Sequence, residues 1–355
     1  MRWLVICTAL SLACAGVPLG APIPADEESF GNDVPSEEEL ARYEDAAAWS
    51  EARDGRALLV MRGEDIVYER YRDDVDPEVS SQLNSGTKLF SCALAGIGVR
   101  DGWLDLDAPI ADTLPGFTGS PEVTARHLLQ FTSGLREDNW RLTLDSYRDE
   151  PRVADKVAIA LTQPQDTPPG EVYTYASVHL WLFSALVAAH TGHSAETELN
   201  EQLFAPIGLR TGGWMTDEAG NTSLAYGAFT TAREWAKFGI LLRDDGVWEG
   251  ERLLPEGWVD LCRTGSAANP AYGLATWLSL SPEGADLGRI EPPADGGPLF
   301  TEEPQPEWLV GAGAKNQRLY ILPDEDLVIV LLSDGSSRFD DREFLTRLLP
   351  DEALR

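Results

Sequence analysis

Apolar runs of strand length lie near both ends of the chain, whereas the middle carries apolar residues at helical spacing. Arg56-Ala-Leu-Leu-Val-Met-Arg and Ile66-Val-Tyr-Glu-Arg-Tyr flank Gly63-Glu-Asp and predict a hairpin. A second hairpin is predicted where residues 318–322 and 327–332 flank Pro323-Asp-Glu-Asp, with further strands at 272–279 and 308–311. Residues 36–49 predict a helix that Ser36 caps and that carries acids in its first turn. Helical patterns follow at 89–99, closed by Asp101-Gly102, then at 123–131, 153–161, 178–190, 195–203, 232–243 and 338–349. Strands at both ends with helices between them predict an α/β (α+β) chain. Its antiparallel sheet is built from both chain ends, flanked by helices, and carries an inserted helix-rich lobe. The Pro-, Gly- and acid-rich stretch 281–306 reads as a long surface loop.

Composition narrows the partners. With 355 residues, a hydrophobic fraction of 43% and 11 tryptophans, the chain can bury a sizeable core. Asp and Glu number 59 against 28 Lys and Arg, a net charge of -31 that repels nucleic acid and anionic membrane surfaces. Arg2, the apolar stretch 3–12 and the small residues of Ala13-Cys14-Ala15 form the pattern of an export signal over 1–15, too short for a stable membrane span. Residues 16–35 then read as a tether and 36–349 as a single domain. The expected location is periplasmic or secreted. A lipid anchor through Cys14 is the alternative, against which Ser11 stands where such sites carry leucine. Beyond that segment remain Cys92 and Cys262, which either form one bridge or leave Cys92 as a buried free thiol. No H-E-x-x-H occurs among the four histidines, no cofactor is implied, and oligomeric state is unread.

The candidate chemistry lies in Asn84-Ser85-Gly86-Thr87-Lys88. A serine hydroxyl is a poor nucleophile until a base removes its proton. Lys88, three residues on at a helix start, shares a face with Ser85, and the apolar residues beyond it would enclose the amine. No serine has glycine at both -2 and +2, which excludes the elbow of an α/β-hydrolase. A bare Ser-x-x-Lys is common, so its flanks decide.

Those flanks are Ser85-Gly86-Thr87-Lys88 before a helix, then Gly102-Trp103-Leu104, then Leu128-Leu129-Gln130-Phe131-Thr132-Ser133-Gly134-Leu135. This ordered set resembles the serine β-lactamase-related family, which includes class C β-lactamases, D-alanyl-D-alanine carboxypeptidases, related esterases and aminohexanoate-oligomer hydrolases. The resemblance runs from about Ala57 to Leu332 and implies a β-lactamase/transpeptidase-like fold. It implies Ser85 as nucleophile and Lys88 as base. It also implies Tyr175, in Tyr175-Ala176-Ser177 after Pro169-Gly170, as a proton-relaying phenol, with Ser177 where β-lactamases often carry Asn. The third motif, a cation-x-Gly on a strand, aligns with Gly311-Ala312-Gly313, so the glycine is kept and the cation is lost. Lys315 is a candidate substitute. On this alignment the N–H groups of Ser85 and Ala314 form the oxyanion hole. The expected substrate is a small ester or amide. A peptidase acting on D-amino-acid termini and a non-catalytic sensor with the same fold remain alternatives.

Overall fold

The two expected hairpins zip together at the centre of one sheet. The structure, a computed structural model, describes residues 20–24, 30–137, 142, 154–278, 308–336, 338–350 and 353. The export-signal pattern, Cys14 and the loop at 281–306 lie outside the described residues. In chain order the first elements are β1 (Gly31–Asn32), α1 (Glu37–Glu51), β2 (Gly55–Arg62), β3 (Asp65–Tyr71) and β4 (Ser81–Gln82). A 3-10 turn at Asn84–Leu89 leads into α2 (Phe90–Arg100), followed by α3 (Ala125–Leu129), α4 (Lys156–Ala160), α5 (Val178–Thr191) and α6 (Ala195–Leu199). Then come β5 (Phe229–Thr230), α7 (Ala232–Arg243), β6 (Val247–Trp248), β7 (Glu251–Arg252) and α8 (Trp258–Cys262). The chain closes with β8 (Trp277–Leu278), β9 (Leu309–Gly313), β10 (Gln317–Leu322), β11 (Leu327–Ser333) and α9 (Asp341–Leu348).

The seven-stranded sheet runs β1-β3-β2-β11-β10-β9-β8 and is antiparallel except at β1. β11 lies against β2, with Leu327 opposite Arg62 and Leu331 opposite Leu58, so the last strand completes a sheet begun by the first hairpin. α1 and α9 pack on one face and α7 on the other. β10 and β11 are therefore buried along their whole length, which is why they read as unbroken apolar runs rather than alternating ones. α7 sits close because Gly239 has no side chain; a Cβ there would lie 2.5 Å from Val328 Cγ1. Ser36 and Glu39 form a capping box on α1, satisfying the expected cap.

Several expectations are corrected. The helix read at 123–131 shrinks to α3, because Thr124 caps it and Phe131 takes a left-handed φ of 57° that ends it. The pattern at 195–203 splits into α6 and a π-helical turn at Asn200–Phe204. The described parts of the expected tether instead dock on the body. The Ile23 N–H donates to the Glu78 carbonyl at 2.7 Å, Ser80 Oγ donates to the Ala21 carbonyl at 3.0 Å, and β1 pairs with β3. Ile23 buries apolar surface there, and edge strand β3 offers unpaired backbone groups that attract a further strand. Cys92 and Cys262, left open between bridge and free thiol, form a disulfide tying α2 to α8.

Candidate active site

Ser85 lies in the 3-10 turn between β4 and α2, partly exposed, with Lys88 buried one turn beyond it. The turn cannot be an ordinary helix start, because Asn84 takes a left-handed φ of 51° and reverses the chain after Leu83. Gly86 is required by an aromatic ring: a Cβ would lie 2.8 Å from the Trp235 indole. The glycine thus admits the Trp235 ring of α7 against the turn. Thr87 is fully buried and accepts the Ala228 N–H at 3.2 Å, pinning the turn to the segment before β5.

Lys88 Nζ is 3.1 Å from Ser85 Oγ and donates to the Ala225 carbonyl at 2.6 Å. It also lies 4.9 Å from the centre of the Tyr175 ring. Such a buried amine needs polar partners in low-dielectric surroundings, and it has them on two sides while a π-face covers a third. Tyr175 is half-buried in an aromatic wall, stacked on Trp277 at 5.7 Å and tilted against Phe131 at 5.4 Å. Tyr173 is the deeper of the two tyrosines; burial pushes its phenol well above the ordinary range. Behind Phe131, the fully buried His179 stacks at 4.7 Å and donates from Nδ1 to the Ala176 carbonyl. Burial lowers its pKa to about 4, so the ring is neutral at pH 7.

β9 supplies the opposite wall. Trp235 also underlies Gly311, where a Cβ would come within 3.3 Å of the indole. Gly313 packs directly on the turn that carries Ser85: a Cβ there would lie 2.1 Å from the Leu83 carbonyl oxygen and 2.9 Å from the Gly86 nitrogen. The structure therefore brings Ser85, Lys88, Tyr175, Gly313 and Ala314 together. Ser177 is buried just before α5, where its carbonyl accepts the N–H groups of Leu180 and Trp181. Lys315 is exposed, at a φ of 61°, with its stem against Gly335. The sequence reading missed Asn84, Ala225, Trp235 and His179. Asn84, beside Ser85, and Trp235, within the helix read at 232–243, are the two that sequence position could have marked. No group of His, Cys, Asp or Glu able to hold a metal occurs among the described residues.

This hydroxyl, amine, phenol and glycine-lined strand can be set beside known proteins. The β-lactamase family profile matches residues 40–353. Penicillin-binding protein 4 of Amycolatopsis lactamdurans is 28% identical over 305 residues, covering 75% of this chain and 76% of the relative. The 6-aminohexanoate-dimer hydrolase of Paenarthrobacter ureafaciens is 26% identical, over 78% of this chain and 72% of its own. Among solved structures, a β-lactamase/D-alanine carboxypeptidase from Pseudomonas syringae superposes with a TM-score of 0.65. Its identity is 16%, over 88% of this chain and 98% of that one, and the likeness is one of fold.

Proposed function

The chain belongs to the β-lactamase family, and on that premise we propose that it is a serine hydrolase cleaving a small ester or amide by two-step acyl transfer. Ser85 Oγ attacks the carbonyl carbon while Lys88 accepts its proton. The N–H groups of Ser85 and Ala314 hold the oxyanion that forms. Tyr175 then passes a proton to the leaving oxygen or nitrogen as its bond to the acyl carbon breaks. Lys88 hands the Ser85 proton on to Tyr175 and is free to take a second one from the water that attacks the Ser85 ester; that proton returns to Ser85 Oγ as the acid is released. The observation that carries this reading is the 3.1 Å approach of the buried Lys88 amine to Ser85 Oγ.

The leaving group is read as an amine or alcohol. Support for an amide comes from the relative named as a 6-aminohexanoate-dimer hydrolase. Gly311 stands where the family motif carries a cation that would grip a β-lactam carboxylate, which argues against strong β-lactam turnover. Export is supported by the Cys92–Cys262 bridge, since structural disulfides persist in oxidising compartments. The mass of the mature N-terminus separates cleavage after Ala15 from lipidation at Cys14.

The test is hydrolysis of p-nitrophenyl esters of graded acyl length beside aminohexanoate amides and nitrocefin, with fluorophosphonate labelling. Ser85→Ala should abolish both turnover and label while the melting temperature holds. Turnover undiminished in that variant overturns the assignment, and labelling of Ser85 without turnover of any substrate favours a sensor.

A further inference from the structure

Three consecutive carbonyls at the end of β9 are each held by a side-chain donor. The Gly313 oxygen accepts from Arg318 Nη1 at 3.0 Å, the Ala314 oxygen from Asn84 Nδ2 at 3.0 Å, and the Lys315 oxygen from Gln317 Nε2 at 3.1 Å. The same stretch contains two successive residues in left-handed conformation, Lys315 at 61° and Asn316 at 60°. Non-glycine residues held there cost free energy, and such positions persist only where surrounding contacts over-determine them. A hairpin connection that merely joined β9 to β10 would not need that many fixed carbonyls.

We propose that Arg318 and Asn84 are positioning residues that fix the direction of the Ala314 N–H as an oxyanion donor, an inference that rests on the reading of Ser85 as nucleophile. The Ala314 N–H and the Gly313 carbonyl belong to one planar peptide, and in a trans peptide they point in opposite directions. Holding the Gly313 oxygen therefore aims the Ala314 N–H. Asn84 holds the next carbonyl, so the N–H lies between two fixed points. Because Asn84 directly precedes Ser85, the same hydrogen bond couples the donor to the nucleophile's own turn.

Arg318 adds charge to geometry. It is 1% exposed and forked onto Asp341, with Nε at 2.7 Å from Oδ1 and Nη2 at 3.1 Å from Oδ2, while Tyr320 donates to the same carboxylate at 2.5 Å. Asp341 opens α9, whose N-terminus favours a carboxylate. The guanidinium is thus locked in place, and a hydrogen bond from a charged donor polarises the peptide it touches. Electron density drawn toward the Gly313 oxygen leaves the Ala314 N–H a stronger donor to developing negative charge.

The test uses the full chain and an ester substrate, with a boronic acid as the tetrahedral mimic. Asn84→Gly keeps the left-handed backbone and removes the amide; Asn84→Asp replaces the donor with an oxygen that repels the Ala314 carbonyl. Arg318→Met with Asp341→Leu removes the buried pair without stranding either charge. Asn84→Gly should lower kcat by roughly 10- to 100-fold, with KM within two-fold and boronate affinity falling in parallel. Asn84→Asp should be worse, and the double variant at least as damaging as Asn84→Gly. If both kcat and boronate affinity stay within two-fold in Asn84→Gly and Asn84→Asp, the inference is overturned, whatever the melting temperature does. Should the double variant not fold, the Asn84 pair decides. Turnover surviving in Ser85→Ala is a separate result, which sinks the nucleophile reading itself.

Discussion

A methyl group on Gly313 tests how tightly β9 must sit against the turn that carries Ser85. Gly313 has a φ of -125° and a ψ of 155°, so alanine fits the backbone and the effect is one of contact alone. The new Cβ would stand 2.1 Å from the Leu83 oxygen, where real contacts essentially never fall below 3.0 Å. That oxygen cannot swing aside without giving up the Gly86 N–H it accepts at 3.0 Å. The strand and the turn must therefore part by roughly 1 Å, a displacement that costs about 100-fold in rate when it separates a donor from the reacting atom. That is about 2.7 kcal/mol of transition-state stabilisation, beside about 1–3 kcal/mol of stability from overpacking. Gly102→Ala is the control: its φ is 75° and nothing lies within 4 Å of the added methyl, so it costs about 1 kcal/mol of strain and no activity. The assay is kcat/KM on a p-nitrophenyl ester, with melting curves for both variants. Gly313→Ala activity within two-fold of the parent, with a melting shift no larger than that of Gly102→Ala, would refute the packing argument.

Two further outcomes follow from buried groups away from the nucleophile. The Cys92–Cys262 bridge spans 170 residues, for which chain entropy gives about 5 kcal/mol. Reduction should lower the denaturation midpoint sharply and have no effect in a Cys92→Ala, Cys262→Ala variant; two titratable thiols at these positions in the unreduced, denatured protein would contradict the bridge. His179 is neutral when folded because burial holds its pKa near 4, whereas unfolded it titrates near 6.5. Above pH 6.5 neither state binds the proton; as pH falls from 6.5 toward 4 the unfolded state gains it first. Stability should then drop by roughly 1.4 kcal/mol per pH unit in that window, levelling off below it. Urea melts of the parent and of His179→Leu across pH 4 to 7 check this, and equal slopes in the two proteins would remove His179 as the cause.

The fold was legible where apolar patterning and local chemistry agreed. The hairpin around Gly63, the capped helix from Ser36 and the amphipathic α7 each carry their own signal within one short, continuous stretch of chain. The reading faltered where tertiary contacts override local pattern. Phe131 looks like one more apolar helical residue, yet packing among Tyr173, Tyr175, His179 and Tyr272 accompanies a backbone that ends α3 early. Residues 20–24 are acid-poor and Pro-rich, and nothing in their composition reveals that Glu78 and Gly212 supply partners for their backbone.

The candidate site divides along the same line. Ser85 and Lys88 are one turn apart in sequence and stay so in space, so spacing put them on one face and the flanking run singled them out. The Lys88 contact to Ala225 spans 137 residues, and the Asn84 contact to Ala314 spans 230. A carbonyl acceptor has no residue-type signature, because every residue offers one. Glycine is the exception that sequence can reveal. Gly86, Gly311 and Gly313 all face either the Trp235 ring or the Ser85 turn, and each marks a place where a side chain would hold two elements apart. The glycines that the sequence alignment assigned to the third motif, Gly311 and Gly313, are the ones at which β9 meets Trp235 and the Ser85 turn. What those glycines preserve is the close approach of β9 to the turn that carries Ser85.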